Sequence, residues 1–233
     1  MKILGISGSP RGSERSGVHQ LVRTVLENSG CEYELVSLAG KRISGCIACL
    51  GCVDDNVCKL DDDMAPLREL VVEADAYVIG APNYYSTINA ATHAFLERWF
   101  QFRHREGDQL WGKLAVGVGV GGTAGGAAAA AIEGFLLYNF IETVALVSGQ
   151  GAAACYDCGY GETCKVGIPL MLHGPGVEVS PETAPAVRKQ PEVMAAAAAA
   201  GKNLGERLRR GHDRARVTEK MQKKLLEMLA SGS

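Results

Sequence analysis

Five short apolar runs, each followed by a loop or a segment of helical periodicity, constrain this chain more than any other feature. Lys2–Ser7, Glu32–Leu38, Ala76–Gly80, Leu114–Val120 and Thr143–Val147 read as strands. Helical spacing fills the intervals over about Ser16–Leu26, Met64–Glu73, Ala90–Phe102 and from Gly126 to about Phe140. In the first of these, Val18, Leu21, Val22 and Val25 share one face. Strands alternating with helices predict an α/β fold with a five-stranded parallel sheet covered on both faces, that is, doubly wound.

Three loops rich in Gly, Ser, Pro and Tyr leave the carboxyl ends of these strands, where such sheets bind ligands. The first, Gly8-Ser-Pro-Arg-Gly-Ser13, joins a strand to a helix and aims backbone N–H groups at an anion. Hydroxyls and the guanidinia of Arg11 and Arg15 add donors, so this turn is expected to hold a phosphate. It carries neither a G-x-G-x-x-G nor a Walker pattern, which sets aside a dinucleotide loop and a P-loop.

Four thiols, Cys46, Cys49, Cys52 and Cys58, follow the second strand at C-x2-C-x2-C-x5-C, flanked by Gly45 and Gly51. Three cysteines at a repeat of three can turn their sulfurs around one compact object, and the fourth can close its far side. This spacing favours a cubane iron–sulfur cluster, whose irons need four converging thiolates. A tetrahedral zinc site is the rival, although zinc knuckles more often come as two separated C-x2-C pairs. Asp61-Asp62-Asp63 just beyond is expected to cap the next helix rather than bind metal.

A second group, Cys155, Cys158 and Cys164, repeats the C-x2-C-x5-C spacing of the last three cysteines of the first, with Ala152 where a fourth thiol would stand. It is a candidate second metal site, with His173, Cys31 or a group from another subunit as fourth ligand; reduced thiols or a disulfide are the alternative. Around it, residues 149–191 form a cysteine- and proline-rich arm without periodicity, a length usually functional or reaching a partner. Residues 192–233 read as a helical region, with six alanines at 195–200. Eight basic residues, Arg207, Arg209, Arg210, Arg214, Arg216, Lys220, Lys223 and Lys224, make a solvated face there, or a docking surface for an acidic redox partner. Residues 1–148 are then one domain, with the cysteine loop at 44–60 inside it.

A net charge of −2 leaves no electrostatic footprint for nucleic acid or an acidic membrane surface. The first apolar run is too short for a signal peptide, and no stretch reaches the ~18 apolar residues of a spanning helix. A cytoplasmic protein is expected, and there eight cysteines point to metal or redox chemistry rather than disulfides. No acid–base pair stands out; His93, His104, His173 and His212 read as solvated, so no catalytic side chain is assigned.

Ser7-Gly-Ser-Pro-Arg11, the cysteine loop, Asp62-Asp63-Met64, Ala81-Pro-Asn-Tyr-Tyr-Ser86, Ala94-Phe-Leu-Glu-Arg98 and the Gly121–Gly126 loop come in an order that resembles the iron–sulfur flavoproteins. These belong to the NADPH-dependent FMN reductase group of flavodoxin-like proteins, and the likeness covers residues 1 to about 148. The resemblance implies FMN at the sheet's carboxyl rim. Ser9, Arg11, Ser13, Arg15 and Ser16 match the phosphate loop, with Arg15 where a small polar residue is usual. Pro82, Asn83, Tyr84, Tyr85, Ser86, Thr87 and Ile88 match the isoalloxazine loop. Gly121, Gly122, Thr123, Gly125 and Gly126 match the loop at the pyrimidine edge. Cys46, Cys49, Cys52 and Cys58 match the ligands of a 4Fe–4S cluster. A ferredoxin-like electron donor, a small-molecule acceptor and a homodimer or homotetramer are implied as well. The second cysteine group and the arm lie outside the family pattern. The function expected is electron transfer from the donor through cluster and FMN. Two alternatives stand beside it: an NAD(P)H-dependent FMN or quinone reductase without a cluster, and a non-enzymatic redox or zinc sensor.

Overall fold

The computed structural model of the protein describes residues 1–105 and 107–231. Its strands are β1 (Lys2–Ser7), β2 (Glu32–Ser37), β3 (Ala76–Tyr84), β4 (Thr87–Ile88), β5 (Leu114–Gly121) and β6 (Glu142–Gln150). Five of them pair in parallel in the order β2-β1-β3-β5-β6, while β4 folds back antiparallel on the end of β3. The order reverses beside β1 and β3, which opens a crevice at the carboxyl rim.

The helices are α1 (Gly17–Glu27), α2 (Ala65–Glu73), α3 (Ala90–Glu97), α4 (Gly126–Tyr138), α5 (Ile168–His173), α6 (Pro191–Arg209) and α7 (Arg214–Ala230). On one face, Val18, Leu21 and Val22 of α1 pack with Leu204 and Leu208 of α6 and Val217 of α7 over Val78 and Val116. On the other, Leu67, Val71, Phe95 and Ile132 pack over Ile6, Tyr77 and Ile79. Each such side chain, wholly buried, contributes roughly 1.5–3 kcal/mol.

The C-terminal helices thus belong to the same core as α1. The alanine run of α6 has a physical reason, since small residues let α6 lie against α1 backbone to backbone. A Cβ at Gly205 would stand 1.8 Å from the Ser29 carbonyl oxygen, and one at Gly201 2.1 Å from that of Val25. Glycine costs about 1 kcal/mol in a helix interior, and only glycine fits.

Several expectations shift on contact with the structure. The helix expected over Ala90–Phe102 ends as an α-helix at Glu97 and continues as a 3-10 turn over Arg98–Arg103. At three residues per turn, positions three apart eclipse. Trp99 and Phe102 therefore both enter the core, and Arg98 and Gln101 form a second buried pair beside them. The β4 hairpin was not expected: Tyr85 (φ 50°) and Ser86 (φ 61°) are both left-handed, as a type I′ hairpin turn requires, with neither Gly nor Asn to ease it.

The three aspartates do not cap α2, whose N-cap, Met64, has no side-chain cap bond. Asp62 and Asp63 instead accept from Ser44 and Arg42 of the cysteine loop. The basic run is also more engaged than a solvated face. Arg209 donates to the carbonyls of Ser29 and Gly30, Arg214 to those of Asp108, Gln109 and Trp111, and Lys224 pairs with Glu133.

Glu142, at the start of β6, is the centre of a further group. Arg207 grips it with both Nη atoms at 3.1 and 2.7 Å, and Lys220 Nζ lies 2.7 Å from Oε1. Burial alone would raise its pKa, but the bonds from Arg207 and Lys220 outweigh it and hold the carboxyl at about 2. A carboxyl depressed in the folded state stabilises fully above its unfolded value, near 4.5, and that contribution fades as pH falls toward 2. Glu142→Gln is accordingly expected to cost on the order of 2 kcal/mol at pH 7, allowing for the solvent-exposed partners, and much less at pH 3. Denaturant midpoints at the two pH values measure this.

Candidate functional site

A cleft of ≈ 370 Å³ opens at the carboxyl rim. Of the residues expected to bind a ligand, Ser9, Arg11, Arg15, Ser16, Pro82, Tyr84, Gly121 and Gly122 line it. Ser13, Tyr85, Ser86, Thr87, Thr123, Gly125 and Gly126 belong to the same three loops without lining the cleft. Ile88 is buried in the core and anchors its loop from below. Ser16 caps α1 by accepting from the His19 N–H at 3.1 Å, and Ser9 Oγ accepts from the Arg11 N–H at 3.2 Å. Both serines therefore shape the turn at the amino end of α1, where unpaired N–H groups and the helix dipole favour an anion. The second and third loops are tied together by Asn83, whose Nδ2 donates to the Ala124 carbonyl at 2.8 Å.

The arm, which the family likeness did not cover, closes the cleft's open side with Gly151, Ala152, Asp157, Pro185 and Arg188 among others. Arg11 donates to the Ala152 carbonyl at 2.8 Å and to Asp157 at 2.9 Å; Arg15 reaches the same carboxylate at 2.8 Å. Sequence reasoning missed Asp157, because only the fold brings residue 157 beside residues 11 and 15.

The cysteine loop is fastened by α3 and the 3-10 turn after it. Glu97 accepts from the Cys46 N–H (3.2 Å) and Gln101 from the Cys58 N–H (3.0 Å). Between them Arg98, only 2% exposed, pairs with Asp62 at 2.6 Å and donates to the Ser44 carbonyl. Burial would raise the Asp62 pKa, but the Arg98 bond and the N–H donors of Ser44 and Met64 hold it below the usual carboxylate value. At its amino end α3 is pinned to the first loop, since Asn89 Nδ2 donates to the Gly8 carbonyl at 2.8 Å. One helix therefore supports both loops.

A protein-family model described as NADPH-dependent FMN reductase matches residues 1–156. The chain belongs to that family. Within it, the chain is 30% identical over 158 residues to an iron–sulfur flavoprotein of Methanocaldococcus jannaschii, covering 67% of this chain and 80% of that one. It is 36% identical over 124 residues to an iron–sulfur flavoprotein of Archaeoglobus fulgidus, covering 52% and 56%; the match spans little more than half of that relative's length. These place it with the iron–sulfur flavoproteins of the FMN reductase family. Among solved structures, the fold is shared with RosB bound to 8-demethyl-8-formylriboflavin-5'-phosphate, at TM-score 0.59 and 17% identity over 100% of this chain and 86% of that one. The Trp repressor binding protein of Bacillus subtilis gives TM-score 0.52 at 15% identity over 84% and 95%.

The cleft suits the FMN of this family. It offers two guanidinia and a helix amino terminus to a phosphate. Asn83 Oδ1, on the loop assigned to the flavin ring and between the cleft-lining Pro82 and Tyr84, is a buried acceptor without a protein partner. The cysteine loop suits the iron–sulfur flavoprotein group by its donors. Burial raises the Cys52 thiol pKa, and its interactions with Cys58, Cys46 and Cys49 add to the shift, so Cys52 feels the other three sulfurs. Ala48, Leu50 and Asn56 in this loop are left-handed, at φ 52°, 57° and 55°, strain that proteins tend to keep at functional segments. Among the described residues, however, no three His, Cys, Asp or Glu side chains stand in a metal-holding arrangement.

That holds for the second cysteine group too. Cys158 Sγ donates to the Cys155 carbonyl at 3.4 Å, and Cys164 belongs to a turn on Tyr160. His173, a candidate fourth ligand, has its Nε2 3.0 Å from the Tyr156 hydroxyl, and Cys31 packs against the core under Arg209.

Asp62→Asn leaves the Arg98 charge in the interior without a counter-charge and is expected to cost about 3 kcal/mol. Asp63→Asn, which weakens one backbone tether to Arg42, should cost about 1 kcal/mol. Equal unfolding midpoints for the two variants would contradict the importance given to the buried pair.

Proposed function

We propose that this member of the FMN reductase family is a cytoplasmic electron-transfer flavoprotein. Cys46, Cys49, Cys52 and Cys58 hold a 4Fe–4S cluster near FMN, a ferredoxin-like protein donates electrons, and a small molecule accepts them. The observation that carries this reading is the shared support: α3 is bonded to the first loop through Asn89 and to the cysteine loop through Glu97, with Arg98 and Gln101 just after it. Two redox groups held on one rigid element keep a fixed separation, which is what electron transfer requires of a protein. The names of the relatives point the same way.

The protein's part is binding and orientation. Arg11, Arg15, Ser9, Ser16 and the amino end of α1 seat the phosphate. Pro82, Asn83 and Tyr84 with Gly121 and Gly122 would flank the ring, and the unpartnered Asn83 Oδ1 would be the acceptor nearest to it. Arg98 places a buried positive charge beside the Cys58 thiol, and the two interact electrostatically. The cofactors supply what side chains lack, a cluster moving one electron at a time and a flavin taking one or two. We place the protein in a homodimer or homotetramer, like the family it resembles, with no role for nucleic acid or membrane; no helix among the described residues is long and apolar enough to span a bilayer.

The second reading, an NAD(P)H-dependent reductase of FMN or quinones without a cluster in the loop, is favoured by the lack, among the described residues, of three metal-ligating side chains in one group. Cys49→Ala separates the two. Cys49 is exposed, so its loss leaves the core intact. Under the first reading the variant keeps FMN, loses iron, and its flavin is no longer bleached by reduced ferredoxin. Under the second, NADPH bleaches wild type and variant alike, and ferredoxin bleaches neither.

A further inference from the structure

The positive end of the cleft is filled from within. Arg11 and Arg15 both donate to the single carboxylate of Asp157, at 2.9 and 2.8 Å, and Arg11 also holds the Ala152 carbonyl at 2.8 Å. Asp157 belongs to the arm and lies between Cys155 and Cys158. A carboxylate gripped by two guanidinia at the amino end of a ten-odd-residue helix, beside two serines that shape the turn, sits where an anionic ligand sits.

We propose that Asp157 is an internal stand-in for the flavin phosphate. A phosphate-bearing ligand displaces it from Arg11 and Arg15, and the Ala152–Cys158 turn lifts with it, uncovering Cys155. This rests on the reading of the cleft as the FMN site. The exchange is downhill because the pairs being broken are weak. The side chains of Arg11, Arg15 and Asp157 are 31%, 72% and 44% exposed, and ion pairs so open to water are worth little. A phosphate brings nearly twice the charge and one more acceptor oxygen. It also repels Asp157 at close range, so the two anions exclude one another.

The turn is tied at few points, one of them the Tyr156 hydroxyl against His173 Nε2 of α5 at 3.0 Å. It is held at one end by the Gly151 N–H on the Gly121 carbonyl (2.9 Å) and at the other by the bonds of the Tyr160–Cys164 turn. Between these anchors its ties to the first loop are the three bonds from Arg11 and Arg15. Cys158 is already exposed and Cys155 half-buried. Loaded cofactor and accessible Cys155 are thereby coupled, which gives the second cysteine group a place in the protein's function: it reports, by thiol exposure, whether the flavin seat is taken.

Thiol alkylation of the whole chain, stripped of flavin and read residue by residue by mass spectrometry, tests this. Cys158 should label quickly under all conditions and serves as the internal control. Cys155 should label several-fold faster on adding FMN or inorganic phosphate, and at its basal rate with riboflavin, which has no phosphate. In Asp157→Asn, Cys155 should label fast without ligand, FMN should bind roughly three- to tenfold tighter, and riboflavin should bind as it does to wild type. Unchanged Cys155 labelling in FMN-saturated wild type, or an FMN affinity unchanged or weakened in the variant, overturns the stand-in while leaving the flavin site intact. Failure of both proteins to bind FMN at all would instead remove the reading of the cleft, and this inference with it.

Discussion

The buried pair of Arg98 and Asp62 organises the ligand-bearing rim. Neither residue can enter the interior alone, because an unpaired charge there costs several kcal/mol. Their meeting at 2.6 Å fixes the 3-10 turn against the far limb of the cysteine loop, and Arg98 also draws in the near limb through the Ser44 carbonyl. A hydrophobic pair of the same volume would stabilise the fold about as well. What the ion pair adds is a particular register of the loop on its support, with Glu97 and Gln101 holding Cys46 and Cys58 on either side.

The cleft depends on the same economy of supports. Gly8 comes close enough to α3 that a Cβ there would lie 1.8 Å from Thr92 Oγ1, and Asn89 bonds the Gly8 carbonyl directly. The loop that seats the phosphate and the loop that carries the thiols are therefore positioned by opposite ends of one short segment. Non-glycine left-handed residues gather in the cysteine loop, at Ala48, Leu50 and Asn56, and at the β4 hairpin, at Tyr85 and Ser86. Backbone strain held beside a rigid helix is consistent with loops shaped for ligands rather than for stability.

Much of this was legible in the chain. The doubly wound sheet followed from Ile3, Val78 and Val116 standing in apolar runs between helices, because burial on both faces leaves no other pattern. The phosphate turn was legible because it is local, a strand, a Gly/Ser loop and a helix that follow one another between Lys2 and Glu27. Contacts between distant residues were not. Nothing near Asp157 in the sequence marks it as a partner of Arg11, and Asp62 looks like a helix cap until Arg98 is folded against it. Likewise nothing in the sequence marks Arg98 and Gln101 as partners of the cysteine loop; only the 3-10 turn over Arg98–Arg103 aligns them toward it. The alanine and glycine run of α6 advertised helix propensity, while its real constraint, the approach to Val25 and Ser29, belongs to the packing.

The central claim is that the loop from Cys46 to Cys58 carries iron on the same support that holds the flavin. Chemical analysis of anaerobically purified wild-type protein for iron, acid-labile sulfide, zinc and flavin tests it most directly. The account predicts one FMN with about four iron and about four sulfide per chain, and no zinc. Protein that carries FMN with neither iron nor sulfide would contradict it, and would leave a flavin reductase with an unused thiol loop.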